Sequence, residues 1–147
     1  METLEFTIRI KATKEKVWAV LWDDKTYRKW TSAFSEGSHA VSTWNEGDKI
    51  QFLGAEDGGG MNSIIDKKVL YEYMAFKHLG EIKDFKELPI DEKANEWSGS
   101  METYRLTPDD EFIDLKVQVD IIESHKDYFK NAFPKALEIV KELSEKQ

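Results

Sequence analysis

Leu4, Phe6, Ile8 and Ile10 alternate with Glu5, Thr7 and Arg9, a period of two that predicts a half-buried strand near the start of the chain. Thr13 follows as an N-cap, and KEKVWAVL places Val17, Trp18 and Leu21 at helical spacing. Asp23-Asp24 breaks that run, and Asp24 is expected to cap a second short helix over KTYRKW. Between residues 34 and 121 the pattern turns to strands. Ala40, with Trp44, opens it, Glu46-Gly47 reads as a turn, and Ile50 and Phe52 alternate with Lys49 and Gln51. GAEDGGG, residues 54–60, is a glycine-rich turn or short loop. NSIID and LYEYMAFKHLG predict two further strands parted near Lys67-Lys68.

Residues 82–95, IKDFKELPIDEKAN, form the longest polar stretch, read as a lid-like loop or a strand extension; Pro89 argues against a central strand there. Residues 96–106 read as one strand whose apolar positions shift from odd (Trp97, Met101) to even (Tyr104, Leu106), which predicts a bulge near Glu102-Thr103. Thr107-Pro108-Asp109-Asp110 signals a turn. Ile113, Leu115, Val117, Val119 and Ile121 make the clearest alternating strand, with Asp114, Lys116, Gln118 and Asp120 facing water. From about Lys126, the positions Phe129, Ala132, Phe133, Ala136, Leu137, Val140 and Leu143 mark one helical face. Pro134 interrupts it, as a kink or as the first turn of a second segment; the unbroken phase of the stripe favours the kink.

The order is strand, two short helices, about six strands, then a long helix. Strands this closely spaced imply antiparallel neighbours, and the long C-terminal helix is the element able to cover the apolar face of the sheet. The expected fold is α+β, a curved antiparallel sheet of about seven strands around that helix, with an internal cavity where the sheet bends away.

Composition narrows the function classes. A length of 147 residues suits one domain spanning 1–147, and 40% hydrophobic with 34% charged residues is ordinary for a globular protein. Without cysteine there is no disulfide framework, thiolate nucleophile or cysteine-ligated metal. The formal charge of -8 disfavours nucleic acid and anionic membrane surfaces as partners. METLEFTIRI lacks the apolar core of a signal peptide, and no window approaches the roughly 20 apolar residues of a membrane span, so a cytoplasmic protein is expected.

The candidate chemistry gathers on the predicted sheet and helix. Met74, Phe76 and His78 share one phase of a strand, which puts His78 at the wall of an apolar chamber if that phase faces the helix. There it would donate to a ligand oxygen or act as a weak acid-base group; the plain alternative is a structural histidine bonded to a neighbouring strand or carboxylate. Glu102, re-aimed inward by the expected bulge, is a candidate partner for His78, against solvent or a surface lysine. Trp30, Phe34, Met61, Phe76, Trp97, Met101, Tyr104, Phe129 and Phe133 are the expected apolar wall, each also readable as ordinary core. The glycines at 58–60 lack the Lys-Ser/Thr of a phosphate loop. His39, His78 and His125 fall in separate elements, so no metal site is expected. Ser98, Ser100 and Ser124 sit in no nucleophile elbow. No catalytic set and no cofactor are identified.

IKATKEKVWAVLWDDKTYRKWTSAF, WNEGDKIQFLG with GGGMNSII, YEYMAFKHLGEIKDF, WSGSMETYRLTP and YFKNAFPKALEIVKEL, in that order, resemble the START-like (Bet v 1-like, helix-grip) superfamily. More narrowly they resemble the bacterial SRPBCC proteins grouped with the C-terminal domain of the activator of Hsp90 ATPase. The resemblance spans nearly the whole chain. It implies a seven-stranded sheet, two small helices and a deep groove beside the last helix. Related members bind lipids, polyketides or other apolar molecules, some catalyse cyclisation or hydrolysis, and the co-chaperone relatives stimulate the Hsp90 ATPase. The leading expectation is therefore non-catalytic binding of a small apolar molecule. A protein-interaction module tied to chaperone regulation comes second, and a cyclase or hydrolase third.

Overall fold

The structure is a computed structural model that describes residues 1–54, 59–84, 86–89 and 97–146. Strand β1 (Glu2–Ile10) is followed by helices α1 (Lys14–Trp22) and α2 (Asp24–Thr31). Strands β2 (His39–Ser42), β3 (Lys49–Leu53), β4 (Gly60–Val69), β5 (Tyr73–Lys83), β6 (Lys86–Glu87), β7 (Met101–Asp109) and β8 (Phe112–Ile121) come next. A 3-10 turn then leads into helix α3 (Lys126–Glu145). The described strands form one antiparallel sheet in the order β1-β8-β7-β5-β4-β3-β2, with β6 pairing on β5. The curved sheet, the long last helix and the two short helices after β1 are the expected architecture.

Thr13 caps α1 by accepting from the Lys16 N–H at 3.2 Å. The residue entering α2 is Asp23, one earlier than expected; Asp24 is the first helical residue and pairs with Arg28 across one turn. The carbonyls ending α1 find side-chain donors on α2, which holds the two helices together. The Thr26 hydroxyl donates to Ala19 O at 3.2 Å, and the Trp30 indole N–H to Leu21 O at 3.1 Å.

Helix α3 runs through Pro134 without a break and buries Ala132, Phe133, Ala136, Leu137 and Val140. Its backbone comes nearest to β1, α1 and α2. Phe133 stacks on Phe6 of β1 with ring centroids 4.9 Å apart. The helix is thus seated toward one end of the sheet, and space remains beside β4, β5 and β7.

Several local expectations need correction. The turn between β4 and β5 lies at Leu70, Tyr71 and Glu72, with Tyr71 at φ +66, while Lys67 and Lys68 remain in the strand. Trp97 to Gly99 form a turn rather than strand, which explains the apparent change of phase. Strand β7 pairs regularly with both neighbours through Glu102 and Thr103, so the expected bulge there is absent. The irregularities sit on the other side of β5: Asn62 opposes Gly80 while Ser63 opposes His78, leaving Leu79 as the extra residue. A second lies between Ile65 and Lys67, at Asp66. Strand β7 also runs on through Pro108, because β5 registers with it only as far as Arg105 and no further ladder bond is required on that side. The turn falls at Asp110, at φ +53. Of the polar stretch 82–95, residues 85 and 90–95 lie outside the described residues; its start extends β5 and folds back as β6.

Candidate functional site

Plain strand alternation, not a bulge, aims Glu102 inward, in phase with Tyr104 and Leu106. On β5 the same rule brings Met74, Phe76 and His78 to the inner face. The extra residue at Leu79 then shifts the phase, so that Glu81 pairs with Met61 and faces the same side. These strands, α2 and the first turns of α3 enclose a groove of two lobes that meet at Met61, His78, Glu102 and Phe129.

The first lobe, about 370 Å³, is lined by Trp30, Phe34, Tyr104, Phe129 and Phe133, as expected, and also by Tyr27, Phe52 and Tyr128. The second, about 380 Å³, adds Trp97, Glu81, Asp120 and His125. Two expected wall residues are placed elsewhere. Phe76 lies beneath the floor, fully buried, edge-on to Phe52 at 5.1 Å and to Trp22 at 5.3 Å. Met101 falls in the opposite phase of β7, beside Lys77, because the strand begins there without the expected bulge.

A chain of hydrogen bonds crosses the floor where the lobes meet. His78 Nδ1 lies 2.6 Å from Ser63 Oγ on β4, and His78 Nε2 lies 3.1 Å from Glu102 Oε1 on β7. The Tyr104 hydroxyl donates to Glu102 Oε2. His78 is thus a histidine bonded to a neighbouring strand and to a carboxylate, the plain alternative, and its ring also lines both lobes. Glu102 in turn is paired with His78 and Tyr104 rather than with a surface lysine. Burial pushes the Tyr104 and Tyr27 hydroxyls well above the ordinary tyrosine range, and the nearby Glu102 carboxylate adds to both.

The order Ser-His-Glu resembles a hydrolytic triad on paper, but the geometry argues otherwise. Ser63 is 0% exposed and sits behind the histidine, outside the wall of either lobe. A substrate in the groove meets His78 and Glu102, not the serine, so Ser63 is a positioning residue. Ser63→Ala should cost about 1–2 kcal/mol by leaving the buried Nδ1 without its partner. A urea melt reads this directly, and an unchanged midpoint would place the bond among the energetically silent ones.

Sequence reasoning missed Ser63 and Tyr27. The first is a small polar residue in an ordinary strand pattern; the second lies in the mostly polar KTYRKW, which suggested no burial. Across the mouth of the first lobe, the Tyr128 hydroxyl on α3 donates to the Phe34 carbonyl just past α2. Among the described residues no group of three or more histidine, aspartate or glutamate side chains is placed to hold a metal ion. No helix among them is long and apolar enough to cross a membrane.

No family model matches the chain, and no curated protein matches it in sequence. Solved structures do resemble it. The Aha1 dimer from Colwellia psychrerythraea matches with a TM-score of 0.71 at 17% identity, over 99% of this chain and 98% of that one. DynU16, from the dynemicin biosynthetic locus, matches with a TM-score of 0.69 at 13% identity, over 97% of this chain and 46% of that one. CalU16 from Micromonospora echinospora gives 0.69 at 12% identity, over 97% and 65%. The fold is START-like, the helix-grip arrangement of SRPBCC and Aha1-like proteins.

Proposed function

We propose that this chain binds a small, largely apolar molecule in the groove between its sheet and α3, without transforming it. The observation that carries the reading is the two-lobed groove, walled by aromatic rings and crossed at its waist by one buried polar chain. Apolar walls supply contact area, and a few fixed polar atoms orient the ligand. Non-catalytic binding is preferred to hydrolysis because the serine bonded to the histidine is sealed from the groove.

The test is thermal unfolding against a panel of hydrophobic metabolites, with mass spectrometry of molecules extracted from the purified protein. A true ligand at a hundred times its Kd should raise Tm by roughly 5–10 °C. Met61→Trp, which thrusts bulk into the waist of the groove, should weaken that binding by about tenfold. A panel that leaves Tm unmoved, with nothing co-purified, would sink the proposal.

The likeness to the Aha1 dimer supports a second reading, a protein-interaction module of the co-chaperone kind. Purified Hsp90 should then show altered ATP turnover on adding this protein. Unchanged turnover without association would remove it.

A further inference from the structure

With the imidazole proton of His78 on Nε2, the hydrogen bonds at the waist of the groove all run toward Glu102. With Glu102 ionised, the Ser63 hydroxyl donates to His78 Nδ1, His78 Nε2–H donates to Glu102 Oε1, and the Tyr104 hydroxyl donates to Oε2. Each polar atom of this hydrogen-bonded row then has a partner. An ionised carboxylate accepts about four hydrogen bonds, so roughly two lone-pair sites remain. The Glu102 side chain is 21% exposed, and it lines both lobes, which is where those sites open.

Apart from the imidazoles of His39, His78 and His125, no described side chain that lines the lobes carries a positive charge to answer it. Among the described residues, no lysine or arginine lines either lobe. Glu81 and Asp120 add further carboxylates to the second lobe. Glu81 and Asp120 line the second lobe alone, whereas Glu102 lines both and is the carboxylate that stands among the rings of the first. Tyr27, Trp30 and Tyr104 line the same lobe as Glu102, and aromatic faces favour a cation. The overall charge of -8 draws cations toward the protein and repels anions.

We infer that the ligand is a cationic amphiphile, with an apolar body among Trp30, Phe34, Phe129 and Phe133 and a protonated amine that donates to Glu102. This rests on the apolar-ligand reading above and narrows it: a carboxylate-headed amphiphile of the fatty-acid type sets like charge against like at the waist and is rejected.

Three probes that share one body separate the possibilities: naphthylmethylamine, naphthylmethanol and naphthoate, titrated calorimetrically near neutral pH. The amine should bind about tenfold more tightly than the alcohol and about a hundredfold more tightly than the carboxylate. Glu102→Gln should cut the ratio of amine to alcohol to about twofold. Equal binding of the three, tightest binding of naphthoate, or an amine preference that survives Glu102→Gln overturns the inference while the apolar-groove reading stands. Failure of all three to bind at millimolar concentration overturns both. Should Glu102→Gln not fold, the wild-type ratio of amine to carboxylate decides by itself: a ratio near one defeats the inference, a large ratio that shrinks with added salt upholds it.

Discussion

Replacing Trp22 with alanine is expected to lower the free energy of unfolding by about 3–5 kcal/mol, the range for deleting a large buried ring. Trp22 ends α1 at 7% exposure and lies among six other rings, within 6.5 Å of the centroids of Trp18, Tyr27, Trp30, Trp44, Phe76 and Tyr104. It ties the two short helices to the sheet beneath the groove. A domain of ordinary stability, about 5–15 kcal/mol, loses about a fifth of it or more. The phenylalanine variant should behave quite differently. The Trp22 indole N–H is buried without a hydrogen-bond partner among the described residues, so Trp22→Phe gives up ring area but also removes an orphan donor. The two effects oppose one another, and a net loss of about 1 kcal/mol or less is expected. Trp30→Phe is the control, because it takes the indole donor away from Leu21 O and leaves that carbonyl short. Urea melts of the three variants should rank Trp22→Ala as the least stable, then Trp30→Phe, then Trp22→Phe. If Trp22→Phe proves as harmful as alanine, the account of its unpaired donor is wrong.

The second large effect lies at alkaline pH. Tyr27 and Tyr104 are held well above the ordinary value of 10.0, first by burial and then by the Glu102 charge. In the unfolded chain both hydroxyls ionise near 10; in the folded chain both keep their protons. The folded state therefore binds more protons above that pH, and stability, fully present below it, falls as pH rises. Each tyrosine contributes a slope of about 1.4 kcal/mol per pH unit, so the pair gives roughly 2.7. Tyr104→Phe or Tyr27→Phe should each halve the slope. Tyrosinate absorbance gives an independent reading: two of the five tyrosines should stay silent until the protein unfolds, then ionise together. Smooth titration of all five in the folded protein would contradict the placement of these two rings.

How much of this could be read in advance depends on the kind of signal. The alternation from Ile113 to Ile121 and the stripe from Phe129 to Leu143 repeat a physical period several times, and both elements stand as expected. Glu102 was expected to face inward, and it does, though through simple strand phase rather than a bulge. The misplacement of Met101 follows from the same error, since without a bulge Met101 points to the face opposite Glu102 and Tyr104. The turn at Tyr71 lay beyond reach because nothing in LYEY marks a left-handed backbone at a tyrosine. The two lobes of the groove, and the seating of α3 toward β1, depend on side-chain sizes from elements far apart in sequence, which no local pattern encodes.

The pairing of β1 with β8 sets a timetable for assembly. Glu2 registers with Ile121 and Ile10 with Ile113, so β1 leaves the ribosome more than a hundred residues ahead of its partner. At ordinary translation speeds, more than a hundred further residues take roughly 5–20 s to synthesise. Throughout that interval Leu4, Phe6, Ile8 and Ile10 wait without a sheet neighbour. Loop closure over such a separation is slow as well, which makes the nascent chain, rather than the finished one, the form most exposed to aggregation.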